Sequence, residues 1–315
     1  MCYSLARLAQ QLGSTLDRAL WDYAGGLPSN RCPMIKIITD TLSDLPQDLV
    51  DANHIALIAL YVHFGQEAYR DRIDLSGEEF FKRLASSPIL PTTSSPSVGD
   101  FQAAYQSLLA DDPETTILSI HFASTLSGTI NSARQAAALL PNANVHIFDT
   151  LSGSLAQGLM VLEAARMARE GATFDAILAR LEAMRSGMQL LLTPSTLDYL
   201  AKGGRIGHAA HLVGTLLDIK PVLRLKDGVL EPCERLRTHK RAVSAIRDLV
   251  IQDARDKPEL HLAVGHGDDE PWCQWLADEL RTALKPDVFL SGGITSAIGT
   301  HLGPGTVGAG WWVPD

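Results

Sequence analysis

The feature that most constrains this chain is the regular alternation of short apolar runs with amphipathic stretches between residues 35 and 186. Ile35-Lys-Ile-Ile-Thr39, Ile55 to Val62, Thr116 to Ile120 and Val145 to Phe148 read as strands. Helical patterns lie between and after them over 75–85, 97–109, 129–140, 154–169 and 173–186. Right-handed strand–helix–strand crossovers turn such an order into a parallel sheet with helices on both faces. Ligands of these sheets bind beyond the carboxyl ends of the strands. Four stretches at or near those ends are rich in Ser, Thr and Asp: 39–44, 92–97, 124–129 and 149–154. None is a GxGxxG or GxxxxGK[ST] nucleotide loop. Their joint reading is a small anionic head group, held by hydroxyls and by the free N–H groups of a helix start. The other reading of each is an ordinary helix cap with spare serines.

Finer signals place the boundaries. Ser43 or Asp44 is expected to cap a helix with Pro46 in its first turn. Ser76 with Glu79 forms a capping box, and Ser97 opens the helix to Leu109. From Gln189 the texture changes to a mixed pattern. A strand Gln189 to Thr193 leads to a short helix capped by Ser195, and a helix is expected over 208–217. Asp227-Gly228 turns a hairpin between Val222–Leu225 and Val229–Leu236. Helices over 238–255 and 269–284 and strands over 260–264 and 288–290 follow, then a glycine-rich end. The expectation is an α/β chain of two domains, a parallel-sheet α/β/α domain over 34–186 and a mixed-sheet domain over 187–315 that closes over a ligand. Residues 1–33 read as an extension with one amphipathic helix, Leu5, Leu8, Leu12, Leu16 and Leu20 at helical spacing, and Met34 as an alternative start.

Bulk properties narrow the function. A net charge of −9 over 315 residues does not suit general attraction to nucleic acid. No apolar run has membrane-spanning length and no secretory signal pattern is seen, so a cytoplasmic protein is expected. The four cysteines form no CxxC pair, so neither a metal site nor a disulfide framework is expected.

Several motifs in order resemble the DegV family, which includes the fatty-acid-binding subunits of the bacterial fatty acid kinase. They are Thr39-Asp40 with Asp44-Leu45, Thr93-Ser-Ser-Pro-Ser97, Leu126-Ser-Gly-Thr129, Asp149-Thr150 with Ser152 and Ser154, Leu197 to Ile206 with its Lys202-Gly-Gly-Arg205 core, Ile219-Lys-Pro221, and Gly299 to Gly305. The resemblance covers about 34–315. It implies a long-chain fatty acid between two α/β domains, its carboxylate held by Thr93 and Ser127 with Gly128 alongside. It also implies a separate kinase catalytic subunit that phosphorylates the presented acid, with no cofactor and no catalytic residue in this chain. Ser94, Arg205, Arg237 and His301 are candidates for head-group or partner contact. The chain departs from the family pattern at Thr41, Ala156, Gly207 and Leu302, the last beside His301.

The energetics agree. Burying about fourteen methylenes gains on the order of 11 kcal/mol at roughly 0.8 per CH₂, of which immobilisation takes several. The tail supplies affinity, and the head-group site need only avoid leaving the carboxylate unpaired. Leu191, Leu197, Leu212, Leu216, Leu217 and Ile219 are candidate tunnel walls or plain core. Two other readings stand beside this one. Ser127 could be the nucleophile of a hydrolase or an acyl-phosphate transferase, although LSGT is not a GxSxG elbow. The basic run Arg235, Arg237, His239, Lys240, Arg241 could make the chain an interaction module.

Overall fold

The computed structural model describes residues 34–213 and 219–314. The helix expected within 1–33, and Leu216 and Leu217, lie outside the described residues.

The first strand, β1 (Ile35–Asp40), runs into a 3₁₀ turn, Thr41–Ser43, capped by the Asp40 side chain through Leu42 N–H at 3.1 Å. Helix α1 (Gln47–Ala52) then starts after Pro46, so the cap is not Ser43 or Asp44 as expected. Asp44 instead sits in the left-handed region at φ 50° and points its carboxylate elsewhere. The run expected as one strand over 55–62 is two. β2 (Ala56–Ile58) pairs with β1, while β3 (Tyr61–Phe64) belongs to a separate antiparallel sheet with β4 (Glu67–Arg70) and β5 (Thr92–Ser94). Between them α2 (Gly77–Ser86) carries the expected Ser76–Glu79 capping box. Next come α3 (Val98–Leu109) capped by Ser97, β6 (Thr116–His121), α4 (Thr129–Ala138), β7 (Asn144–Asp149), α5 (Ser154–Arg169) and α6 (Phe174–Gly187). Strands β2-β1-β6-β7 form an all-parallel sheet.

The second half opens with β8 (Gln189–Thr193) and α7 (Asp198–Lys202). Ser195 does not cap α7; its hydroxyl donates to Gly305 O at 3.0 Å, and Thr196 accepts from Asp198 N–H. The helix expected over 208–217 is a 3₁₀ segment, Gly207–Leu212, among the described residues. The hairpin β9 (Lys220–Lys226) and β10 (Val229–Leu236) turns at Asp227-Gly228 with φ 48° and 75°, the two left-handed conformations that such a turn demands. Then follow α8 (His239–Ala254), β11 (His261–Gly267), α9 (Glu270–Leu284), β12 (Val288–Gly293), α10 (Ser296–Leu302) and β13 (Thr306–Trp312). Their sheet has the order β10-β9-β8-β13-β11-β12, with β11 and β12 parallel and the other neighbours antiparallel. The chain is therefore α/β with one parallel and one mixed sheet, as expected.

Helix α5 joins the layers. Apolar and small residues surround it, so it is buried on opposite faces. Leu159 and Met160 lie in a core that contains Ile37, Leu118 and Ile120 of the parallel sheet together with Ala263, Leu290 and Trp312 of the mixed one. Helices α3 and α4 cover the outer face of the parallel sheet through Phe101, Tyr105 and Ala133. Helix α8 and helix α9 cover the outer face of the mixed sheet through Val243, Ile246 and Leu276.

Candidate functional site

Strand alternation builds one wall of the site. In β5, Thr93 pairs opposite Val62 of β3. Thr93 and Ser95 line an internal cavity, while Ser94, one step out of phase, is exposed and bonds His63 Nε2 at 2.8 Å. A second wall is the turn after β6. Leu126 and Ser127 N–H both donate to Ala123 O, which curls the backbone so that Ser127 faces the cavity. The Ser127 hydroxyl accepts from Thr129 N–H at 3.3 Å and lies 2.9 Å from Thr129 Oγ1 and 3.4 Å from Ser95 Oγ. It therefore accepts from the first N–H of α4, one residue before the Gly128 cap, and faces the cavity at once. Gly128 is exposed and does not line the cavity.

The mixed half supplies a guanidinium and an imidazole. Arg205 donates from Nε to Leu126 O at 3.1 Å and from Nη1 to Gly203 O at 2.5 Å, which clamps the carbonyl next to Ser127. His301, on the last turn of α10, places Nε2 2.8 Å from Thr93 Oγ1. Its Nδ1 is buried with no partner among the described residues. Burial, with the Arg205 guanidinium nearby, pushes the imidazole down to about 4, so it is neutral at pH 7. A neutral imidazole carries one N–H donor. Thr93, Ser95, Ser127, Arg205 and His301 thus share one cavity. Arg237 is exposed and does not line it.

The rest of the cavity is apolar. It encloses about 1050 Å³ of atom-free space, mouth included. Leu42 and Phe122 line it from the parallel half, and Leu190, Leu192, Leu225 and Leu230 from the mixed half. At Gly310 of β13 a Cβ would lie 2.8 Å from Ala156 Cβ of α5, so glycine there lets helix and sheet approach closely beside the cavity. Of the candidate wall residues, Leu191, Leu197 and Leu212 are buried core that does not line the cavity, and Ile219 does not line it either.

All four hydroxyl-rich stretches reach the cavity wall, through Leu42, Thr93 and Ser95, Ser127, and Ser154, but not each with a free hydroxyl. The 92–97 stretch forms a strand of the antiparallel sheet. In the 124–129 turn only Ser127 supplies a hydroxyl to the cavity, since Thr125 Oγ1 donates to Gly228 O at 2.5 Å and Thr129, the first residue of α4, is buried away from it. Asp149 and Thr150 satisfy local backbone groups. Ser154 lines the cavity but donates its hydroxyl to Asp44 at 2.5 Å.

Asp40, His121 and Ser119 form an acid–imidazole–hydroxyl chain, with 2.8 Å from Asp40 Oδ2 to His121 Nδ1 and 2.6 Å from His121 Nε2 to Ser119 Oγ. Tyr105 OH extends it at 2.9 Å. All four side chains are fully buried and none lines the cavity, so the arrangement braces the sheet. Asp40 also accepts from Phe122 N–H at 3.3 Å and so holds a cavity residue in place. Among the described residues no group of three or more His, Cys, Asp or Glu could hold a metal ion, and no helix is long and apolar enough to cross a membrane.

Comparison with known proteins places this architecture. Protein DegV of Bacillus subtilis is 33% identical over 278 residues, 88% of this chain and 98% of the relative. A DegV family protein from Thermus thermophilus, described by its fatty acid binding, superposes with a TM-score of 0.84 at 35% identity, covering 89% of this chain and 99% of that one. DegV of Bacillus subtilis, described as a fatty acid binding protein, gives 0.82 at 32% identity over 89% and 99%. A stearic acid-binding protein from Eubacterium ventriosum gives 0.82 at 26% identity over 89% and 98%. The family described as uncharacterised protein, DegV family, matches residues 34–313. This chain belongs to the DegV family.

Proposed function

We propose that this protein binds one long-chain fatty acid in the cavity, with the tail among the leucines and the carboxylate at Thr93 and Ser127. The observation that carries the reading is a single cavity, apolar over most of its wall, in which the hydroxyls of Thr93, Ser95 and Ser127 meet a guanidinium and a neutral imidazole. The described binding of fatty acids by two similar proteins supports it. Hydroxyl donors satisfy a carboxylate without the full desolvation cost of a buried ion pair, and Arg205 adds charge nearby. The same reading keeps the division near residue 186. The parallel sheet ends before it and the mixed sheet begins at Gln189.

Presentation of the bound acid to a separate kinase subunit in the cytoplasm extends this reading. Arg205 and His301 lie beside the head group, and Arg237 is exposed and free to meet a partner. A nucleophilic role for Ser127 has less support. Its hydroxyl neighbours are Ser95 and Thr129, while the nearby imidazole is bonded to Thr93.

Native mass spectrometry of the purified protein tests lipid binding. We expect a co-purified acid of roughly C14–C18, the length a pocket of this class can bury, and uptake of added oleate after delipidation. Thr93→Val removes a buried hydrogen bond to a charged group, worth about 1.5–3 kcal/mol, and should weaken oleate retention by about ten- to a hundredfold. A folded protein that neither carries nor takes up a fatty acid overturns the proposal.

A further inference from the structure

A second polar recess lies where β8 begins and β9 ends. The α6–β8 junction, the turn after β7 and the tip of the β9–β10 hairpin enclose about 740 Å³ of atom-free space. Arg185, Arg224 and Lys226 line it, with Thr150, Ser152 and Gln189. The pairing of Leu191 with Arg224 sets their register, and its continuation brings Gln189 beside Lys226. Arg224 and Lys226 are two residues apart on one strand, so they project to the same face.

The cations are not equally engaged. Arg185 is paired with Glu182 and donates to Asp149 O at 3.3 Å. Arg224 has no carboxylate within ion-pair distance among the described residues. Among the described residues its Nη2 meets Cys233 Sγ at 4.0 Å, and its Nε is buried with no acceptor. Lys226 is exposed and has no ion pair among the described residues. Asp227, at the rim, is the single acid that lines the recess. A buried guanidinium N–H without an acceptor is costly. A planar fork of donors flanked by an ammonium and hydroxyls complements a tetrahedral, multiply charged oxyanion.

We propose that this recess is a phosphate-binding site, distinct from the apolar cavity, that takes the phosphate group of a small molecule or a lipid headgroup on Arg224 and Lys226. Leu225, between these two residues, contributes to the walls of both spaces. The hairpin tip beside it is tied to the turn after β6 by the Thr125–Gly228 bond. An anion seated there therefore tethers β9 to the α6–β8 junction and stiffens one wall of the cavity.

With a net charge of −9, the chain as a whole does not attract anions, so phosphate binding is diagnostic. Titration calorimetry with inorganic phosphate and with glycerol 3-phosphate, against chloride, tests the free anion. Flotation with phosphatidylglycerol-containing vesicles, against phosphatidylcholine alone, tests the headgroup. Saturable binding in either arm, weakened at least tenfold in Arg224→Met and severalfold in Lys226→Gln, is expected. Lys226 is exposed at a strand end, so its variant folds whatever Arg224→Met does. Binding in the first arm assigns a soluble phosphate, and binding in the second alone assigns the lipid. No binding in either arm, or binding that both variants retain in full, overturns the proposal.

Discussion

Asp44 carries the sharpest residue-level consequence. It is buried, accepts Thr295 N–H at 2.8 Å and the Ser154 hydroxyl at 2.5 Å, and lies close to a second buried acid, Asp71. Burial, with the neighbouring Asp71, pushes its carboxyl up to about 7. Unfolded, it titrates near the usual value of about 3.9. Between those values the folded chain holds a proton that the unfolded chain has lost, so stability falls as pH rises through the window, by up to about 1.4 kcal/mol per unit. His301 acts in the opposite sense. Its depressed value means that stability is lost as pH falls from about 6.5 towards about 4. Comparing Asp44→Asn with wild type isolates the acid, because the amide mimics the protonated carboxyl and can donate to Ser154. Denaturant unfolding from pH 4 to 8 should show wild type losing stability relative to the variant as pH rises, and equal slopes would count against the assignment. At this scale four polar residues of the cavity were legible, since hydroxyl-rich stretches and a family pattern marked Thr93, Ser127, Arg205 and His301. Ser95 is not distinguished from Ser94 by the sequence, because which serines of a run face inward depends on strand phase. Asp44 pointed to a helix cap, because its true partner lies 251 residues away.

Helix α10 shows why an element can be hidden. Its sequence lies among Gly292-Gly293, Gly303 and Gly305, and seven residues are too few to display a helical period. It forms because Asp44 and Asp71 accept the Thr295 and Ala297 N–H groups at its start, and because its apolar side packs on α2. The fit is close at Gly299, where a Cβ would lie 2.8 Å from Phe81 Cζ and 2.9 Å from Phe80 Cε1. Both rings are buried and cannot yield freely. Gly299→Ala should therefore cost about 1–3 kcal/mol, read as a lower unfolding midpoint, and should also shift His301 from Thr93 and weaken oleate retention. Unchanged stability would mean that α10 is more loosely seated than its contacts indicate. The strands β3, β4 and β5 were hidden for a related reason. Each has three or four residues, and Thr92-Thr-Ser94 is polar throughout, so no alternation marks it as a strand.

On the scale of the whole molecule, the cavity is lined by turns that follow the parallel strands, by Thr93 of β5, by the mixed sheet and by the start of α5. A ligand there binds the folded chain and not the unfolded one, so oleate at about 100 times its dissociation constant should add about 2.7 kcal/mol of stability. A rise in the thermal midpoint of delipidated protein on adding oleate checks this, and no rise would argue against occupancy of the cavity. The parallel half was the more legible, because three of its four strands, β1, β6 and β7, are each followed by a helix. In the mixed half the order of strands is set by long-range pairing, which no local pattern encodes. Strand β13 illustrates the point and has a consequence for assembly. It is the last strand among the described residues, yet it lies in the interior of its sheet, between β8 and β11. Until residues 306–312 have been synthesised, β8 and β11 have no common neighbour and the sheet exists as two unjoined parts with bare edges. Completion of this half therefore waits for residues 306–312, and a nascent chain stalled before that strand is one that chaperones would have to shield.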